Sequence, residues 1–150
     1  MEILLTGLAA FAFGLWAFAT IVKALIELRK YHLVKLLKKD IENYNKALSK
    51  DPGNNFANYS VGTLYYNKAA YYVKQMQSVS DDMSKAGMKK YEGFEKQMFS
   101  MFDMALPYFE KAEKGDPNDK NTLIALREIY ARKNQLDKAA EYAKKIEDIK

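Results

Sequence analysis

His32 is the only imidazole in the chain, and cysteine is absent. Together these facts remove disulfides, cysteine-ligated zinc, a thiol nucleophile, a multi-histidine metal site and any Ser-His pair away from His32. What is left is carboxylate, hydroxyl and amide chemistry. Glu92 and Glu95 lie three residues apart, among Lys89, Lys90 and Lys96. On a helix that spacing makes surface ion pairs sooner than a general acid and base. Asp81-Asp82 reads as a turn and cap, with Ser80, Asp81 or Asp82 available to cap a short helix within the turn. Asn58-Tyr59-Ser60 fits a glycosylation sequon but falls inside a helical pattern. No glycine-rich phosphate loop, His-Glu-x-x-His or calcium-loop pattern occurs. The expectation is a non-enzyme with no catalytic residues, no cofactor and no metal. Its function should be recognition by aromatic, amide and apolar side chains.

Two kinds of element must position those side chains. The first is the run ILLTGLAAFAFGLWAFATIV, residues 3–22, which carries no charge over 20 positions. At 1.5 Å per residue it reaches about 30 Å, the thickness of a bilayer's hydrocarbon core. Its apolar residues occupy every face, which is not the pattern of an amphipathic surface helix. Met1-Glu2 lacks the basic start of a signal peptide. The segment therefore reads as a membrane anchor contacting lipid through residues 3–22. Thr6 and Thr20 can bond back to their own helix. Gly7, Ala10, Gly14 and Ala17 fall at steps of three and four, a smooth stripe open to helix–helix contact.

Charge is concentrated just after that run. Residues 1–39 hold six basic residues against Glu2 and Glu27, a balance of +4. Residues 40–150 hold 18 basic and 17 acidic residues, a balance of +1. By the positive-inside rule the domain after the span lies in the cytoplasm, the periplasm being the alternative. The same basic residues can rest against anionic lipid or simply be a solvated helix face, and His32 reads as a headgroup-level residue. A nucleic-acid binder would carry its excess on the folded domain, so no nucleic-acid partner is expected.

The second kind of element is helical. From Leu33 onward apolar residues recur at three and four, and no strand-like alternation persists. Asp51-Pro52-Gly53-Asn54-Asn55 and Gly115-Asp116-Pro117-Asn118-Asp119 are strong breakers. Their surroundings align: Asn45-Lys46-Ala47 through Pro52 matches Glu110-Lys111-Ala112 through Pro117 at an offset of 65. The alignment extends to Tyr65 with Tyr130 and Lys68 with Lys133. This is an internal repeat.

These residues resemble the tetratricopeptide repeat of bacterial proteins. Ala105, Phe109, Ala112 and Pro117 match the second-helix half at spacings of four, three and five. Val61, Gly62 and Tyr65 match the first-helix half. Tyr44, Ala47 and Pro52 match the end of an earlier unit, and Leu123, Leu126, Tyr130 and Ala139 match a last one. The usual unit has 34 residues, and here the repeat is longer by 31, a surplus lying between Tyr65 and Ala105. Asn58 stands where the family often has Trp, and Arg127 replaces a small residue. The resemblance implies an all-α fold: an antiparallel helix-pair solenoid with an extended helical hairpin insertion at about 66–104. A hydrophobic N-terminal helix precedes it. Residues 1–32 then form the anchor with its basic flank, and 33–150 the repeat domain. The hydrophobic helix has room to run straight into helix 33–50.

Within the insertion a helix extended to Val79, a turn over Ser80–Gly87 and a helix from Lys89 to Lys114 are expected. Six of the seven methionines lie here, with Tyr66, Tyr71, Tyr72, Tyr91, Phe94, Phe99 and Phe102. They either zip the two helices together or form an adaptable docking face. A helix over Leu136–Asp148, rich in Lys and Glu, should close the stack.

The resemblance also implies a peptide groove lined by first helices. Carried over by position it shows Phe56, Tyr59, Thr63, Tyr66 and Asn67, then Asn121, Ile124, Glu128 and Arg132. Ser60 and Ala125 do not supply the carboxylate-clamping set of one subgroup. The expected function is a membrane-tethered, non-catalytic scaffold or adaptor that binds a protein or peptide segment. The alternative is a structural membrane protein that self-assembles as a homo-oligomer without an external ligand.

Overall fold

The structure is a computed structural model that describes the backbone of residues 2–149 and the side chains of residues 15–29, 31–32, 35–36 and 38–149. Among the described residues every regular element is helical. The helices are α1 (Glu2–Lys50), α2 (Asn55–Gln77), α3 (Lys85–Gly115), α4 (Lys120–Arg132) and α5 (Leu136–Asp148). The chain separates into two compact units, Met1–Asp40 and Ile41–Lys150.

In the first unit the chain is helical throughout its described residues, consistent with the absence of proline before Pro52. Thr20 donates its hydroxyl to the Trp16 carbonyl at 2.9 Å, so its polar group is satisfied within the helix. Leu15, Trp16, Phe18 and Ile21 are each more than half exposed. Among the described residues no helix is long and apolar enough to cross a membrane. Residues 3–14 of the uncharged run lie outside the described side chains, as do Thr6, Gly7, Ala10 and Gly14.

In the second unit the two aligned breakers build the same turn twice. Asp51 N–H donates to the Ala47 carbonyl at 2.9 Å, and Asp116 N–H to that of Ala112 at 2.9 Å. The Asp51 carboxylate accepts from Gly53 N–H at 3.1 Å, and the Asp116 carboxylate from Asn118 N–H at 3.2 Å. Asn54 then caps α2 by accepting from Ala57 N–H at 2.9 Å, and Asp119 caps α4 by accepting from Thr122 N–H at 3.1 Å. Each pair is offset by 65 residues, so the sequence repeat is also a repeat of hydrogen bonds.

The hairpin turn is displaced from its expected place. α2 stops at Gln77 and α3 begins at Lys85. Ser84 caps α3 by accepting from Gly87 N–H at 3.1 Å, while the Asp82 carboxylate accepts from Ser84 N–H at 3.1 Å. Ser80 instead turns back to the Gln77 carbonyl. Gly87 is needed here because a Cβ would lie 2.1 Å from the Asp82 carbonyl oxygen. The turn between α4 and α5 reverses at Asn134, whose φ of 57° is left-handed, and Gln135 N–H closes it on the Tyr130 carbonyl at 2.9 Å.

The core runs along the α2–α3 hairpin and continues under α4 and α5. Ala69, Met76, Met98, Phe102, Ala105 and Phe109 are buried with Leu123, Leu126, Ile129, Tyr130 and Tyr142. Ala105, Phe109 and Ala112 all face inward, as their spacing of four and three requires. Small residues at 62, 105 and 112 let helices approach: a Cβ on Gly62 would stand 3.1 Å from the Phe109 ring. The aromatic and methionine-rich insertion divides its work. Met76, Met98 and Phe102 zip the hairpin, whereas Tyr71, Met83, Met88, Tyr91 and Met104 remain exposed.

Tyrosine–carboxylate pairs fasten successive helices. The Tyr130 hydroxyl on α4 donates to Glu110 on α3 at 2.6 Å, and Tyr142 on α5 donates to Glu113 on α3 at 3.2 Å. The two rings stack at 5.6 Å with an interplanar angle of 7°. Lys145 bonds Glu113 at 2.8 Å, and its ammonium lies 4.7 Å from the Tyr142 ring centre. Tyr66 on α2 donates to Glu128 on α4. Burial, followed by the nearby carboxylates, raises all three tyrosines, Tyr66 to about 12.

Those shifts set an alkaline limit. Tyrosines in the unfolded chain ionise near about pH 10, so above that the unfolded state holds fewer protons than the folded one. Stability is therefore fully present below pH 10 and falls as pH rises toward the Tyr66 value of about 12. The melting temperature should drop steeply over that interval. In Y66F/Y130F/Y142F the wild-type slope should flatten, and an unchanged slope would show that these hydroxyls do not set the limit.

Candidate functional site

A groove runs between α2 and α4, with α3 beneath it. From α2, Tyr59, Thr63, Tyr66 and Asn67 line one wall; from α4, Asn121, Ile124, Ala125 and Glu128 line the other. Phe109 of α3 forms the floor of this depression of about 240 Å³. The walls follow from helical spacing: steps of three and four put residues 59, 63 and 66 on one face, and 121, 124 and 128 on another. A second depression, of about 190 Å³, continues the groove toward the start of both helices. It is lined by Asn55, Phe56, Ala112, Asp116, Asp119 and Thr122, and shares Tyr59 and Asn121 with the first.

Eight of the nine expected groove residues thus line one continuous surface: Phe56, Tyr59, Thr63, Tyr66, Asn67, Asn121, Ile124 and Glu128. Arg132 lines neither depression. It acts at a distance, its charge opposing the rise of the Tyr66 hydroxyl together with that of Arg127.

Packing and display are both present in the aromatic residues. Tyr59 meets the Phe109 ring edge-on at 6.0 Å, and Tyr66 meets it at 6.3 Å and 82°. Both tyrosines keep part of their surface open. Phe56 is 70% exposed, held by an edge contact with Tyr44 at 6.1 Å. Asn67 and Asn121 present free-standing amides on opposite walls, each with donors and an acceptor that suit a peptide backbone.

No known protein family matches the sequence, and no curated protein matches it. The groove's chemistry is thus read from its own geometry. Two hydroxyl–carboxylate pairs lie along it, Tyr66 with Glu128 and Thr122 with Asp119, and among the described residues no group of three His, Asp or Glu side chains is placed to hold a metal ion. A larger concavity of about 660 Å³ lies on α3, lined by Glu92, Glu95, Lys96, Phe99, Ser100, Asp103 and Met104. All of its walls come from one helix, so it is a gap between neighbouring side chains. The α2–α4 groove is instead built from three elements, two walls and a buried floor.

Phe109, Ala112, Asp116, Asp119 and Thr122 belong to the groove although positional carry-over does not assign them to it. For Phe109 the signal was available: a large side chain between Ala105 and Ala112 must fill the space those alanines leave. The two aspartates are visible in sequence only as turn formers.

Proposed function

We propose that this protein is a membrane-tethered adaptor of the tetratricopeptide type, whose α2–α4 groove takes a polypeptide segment of a partner. The observation that carries this reading is the groove itself. Its floor is a buried phenylalanine seated between small residues, and its rims expose Phe56, Asn67 and Asn121. The turn repeated bond for bond at offset 65 supports stacked helix pairs. The uncharged run of residues 3–22 supports the tether, and the basic residues after it support a cytoplasmic domain. Tethering raises the effective concentration of the groove near membrane-bound partners, so modest intrinsic affinity suffices.

Capture of partners by the full chain tests it. Y59A/N121A removes one wall contact on each side while leaving Phe109 and the α3 core in place. Capture should fall by about tenfold or more, the loss expected for two central contacts. Undiminished capture by a variant with normal helical content would remove the groove from the function. A second reading rests on the exposed Tyr71, Met88, Tyr91 and Met104 of the hairpin: self-assembly without an external ligand. Crosslinking that yields homo-oligomers alone would favour it.

A further inference from the structure

We propose that residues 23–39 of α1 are a docking surface for anionic phospholipid headgroups, with Arg29, His32 and Lys35 as its phosphate-facing row. The proposal builds on the membrane-tether reading and assigns a lipid class to the segment that follows the span. Residues 29, 32 and 35 succeed one another at steps of three, which keeps them along one side of the helix. With Leu25, Leu28 and Tyr31 they border one gap between neighbouring side chains, all of it on α1. All six side chains are exposed. Apolar stems and cationic tips mixed on one exposed surface match the boundary between acyl chains and phosphates.

Charge selects the occupant. Lys23, Arg29, Lys30, Lys35, Lys38 and Lys39 stand in this segment against Glu27 alone, a balance of +5. The exposed apolar residues Leu25, Ile26, Leu28, Tyr31 and Leu36 are interleaved with them. A nucleic acid would use the cations and leave those apolar groups in water, whereas a lipid leaflet accommodates both. Direction adds to this. Helical side chains lean toward the N-terminus, so Arg29, His32 and Lys35 lean toward the uncharged run. Arg29 lies seven residues past Val22, about 10 Å along the helix axis and comparable with the Debye length at physiological salt, while His32 and Lys35 lie about 15 and 20 Å past it and meet the phosphates where the helix tilts toward the leaflet.

The test uses the full chain with two kinds of vesicle, phosphatidylcholine alone and phosphatidylcholine mixed with phosphatidylserine. Flotation reports binding, and backbone hydrogen exchange over residues 24–38 reports headgroup contact. The expected result is binding to both vesicles, with exchange slowed roughly tenfold more in the anionic ones at low salt. High salt, and the variant R29Q/H32Q/K35Q, should each bring exchange back to the phosphatidylcholine value without releasing the protein. Equal exchange in the two vesicles would overturn the headgroup row and leave the tether standing. Binding to anionic vesicles only, with the same salt-sensitive slowing, would overturn the tether and leave the row standing. Equal slowing of the vesicle-free protein by a short oligonucleotide would also overturn the lipid assignment.

Discussion

Phe109→Ala is expected to lower the unfolding free energy of the Ile41–Lys150 unit by about 4 kcal/mol, within the usual range for deleting a buried aromatic ring. The ring is 1% exposed and occupies the centre of the fold. It meets Tyr59 and Tyr66 at 6.0 and 6.3 Å and closes against Gly62. Its removal therefore opens a cavity between three helices and takes the floor out of the groove. Marginal domains hold only about 5–15 kcal/mol in total, so the loss is large enough to populate unfolded chain in cells. Phe109→Leu keeps most of the volume and should cost about half as much. Urea unfolding followed by far-ultraviolet circular dichroism measures both. A loss below about 1 kcal/mol for the alanine variant would mean that this ring does not organise the helix packing.

What was legible beforehand depended on whether a residue's neighbours were local. Ala105, Phe109 and Ala112 announce their buried face because their partners on the same helix sit three and four residues away. Asp51-Pro52 and Asp116-Pro117 announce their turns because proline and aspartate act on the adjacent backbone. The bounds of α5, Leu136–Asp148, agree with the expected ones for the same reason. The hairpin turn was legible only roughly. Ser80, Asp81, Asp82 and Ser84 are all competent caps, and several candidates within five residues leave the choice open in the sequence; Ser84 takes the role, with Asp82 bonding the Ser84 N–H and Gly87 leaving room for the Asp82 carbonyl.

Asn58 shows the opposite limit. It is fully buried where the second copy of the repeat has Leu123, also fully buried. Its amide donates to the Pro52 and Asn54 carbonyls at 3.0 Å each, holding the preceding turn. Its own carbonyl oxygen has no protein partner. No pattern of apolar residues foretells such a placement, because the gain comes from bonding a turn rather than from hydrophobic burial. The groove residues fall between these cases. Helical spacing alone places 59, 63 and 66 on one face, but that the face meets residues 121, 124 and 128 over Phe109 depends on how three helices pack.

If residues 3–22 are the proposed anchor, removing residues 1–32 converts a membrane-held protein into a soluble helical one, the largest change of state any alteration should produce. The compact unit Ile41–Lys150 lies wholly beyond the cut, so its core and groove stay complete. Ten residues of the uncharged run are Leu, Ile, Phe or Val. At about −0.3 to −0.6 kcal/mol each, they favour insertion by roughly 3–6 kcal/mol. One arginine at the centre of the run costs about 3 kcal/mol, comparable with that whole gain. Phe13→Arg should therefore release much of the chain by itself, while Lys23→Gln at the edge should release none. Sedimentation after high-salt and alkaline washes measures this. Salt stripping of the intact chain would sink the anchor, because a span held by apolar contact is indifferent to screening, whereas a surface held by the basic segment is not.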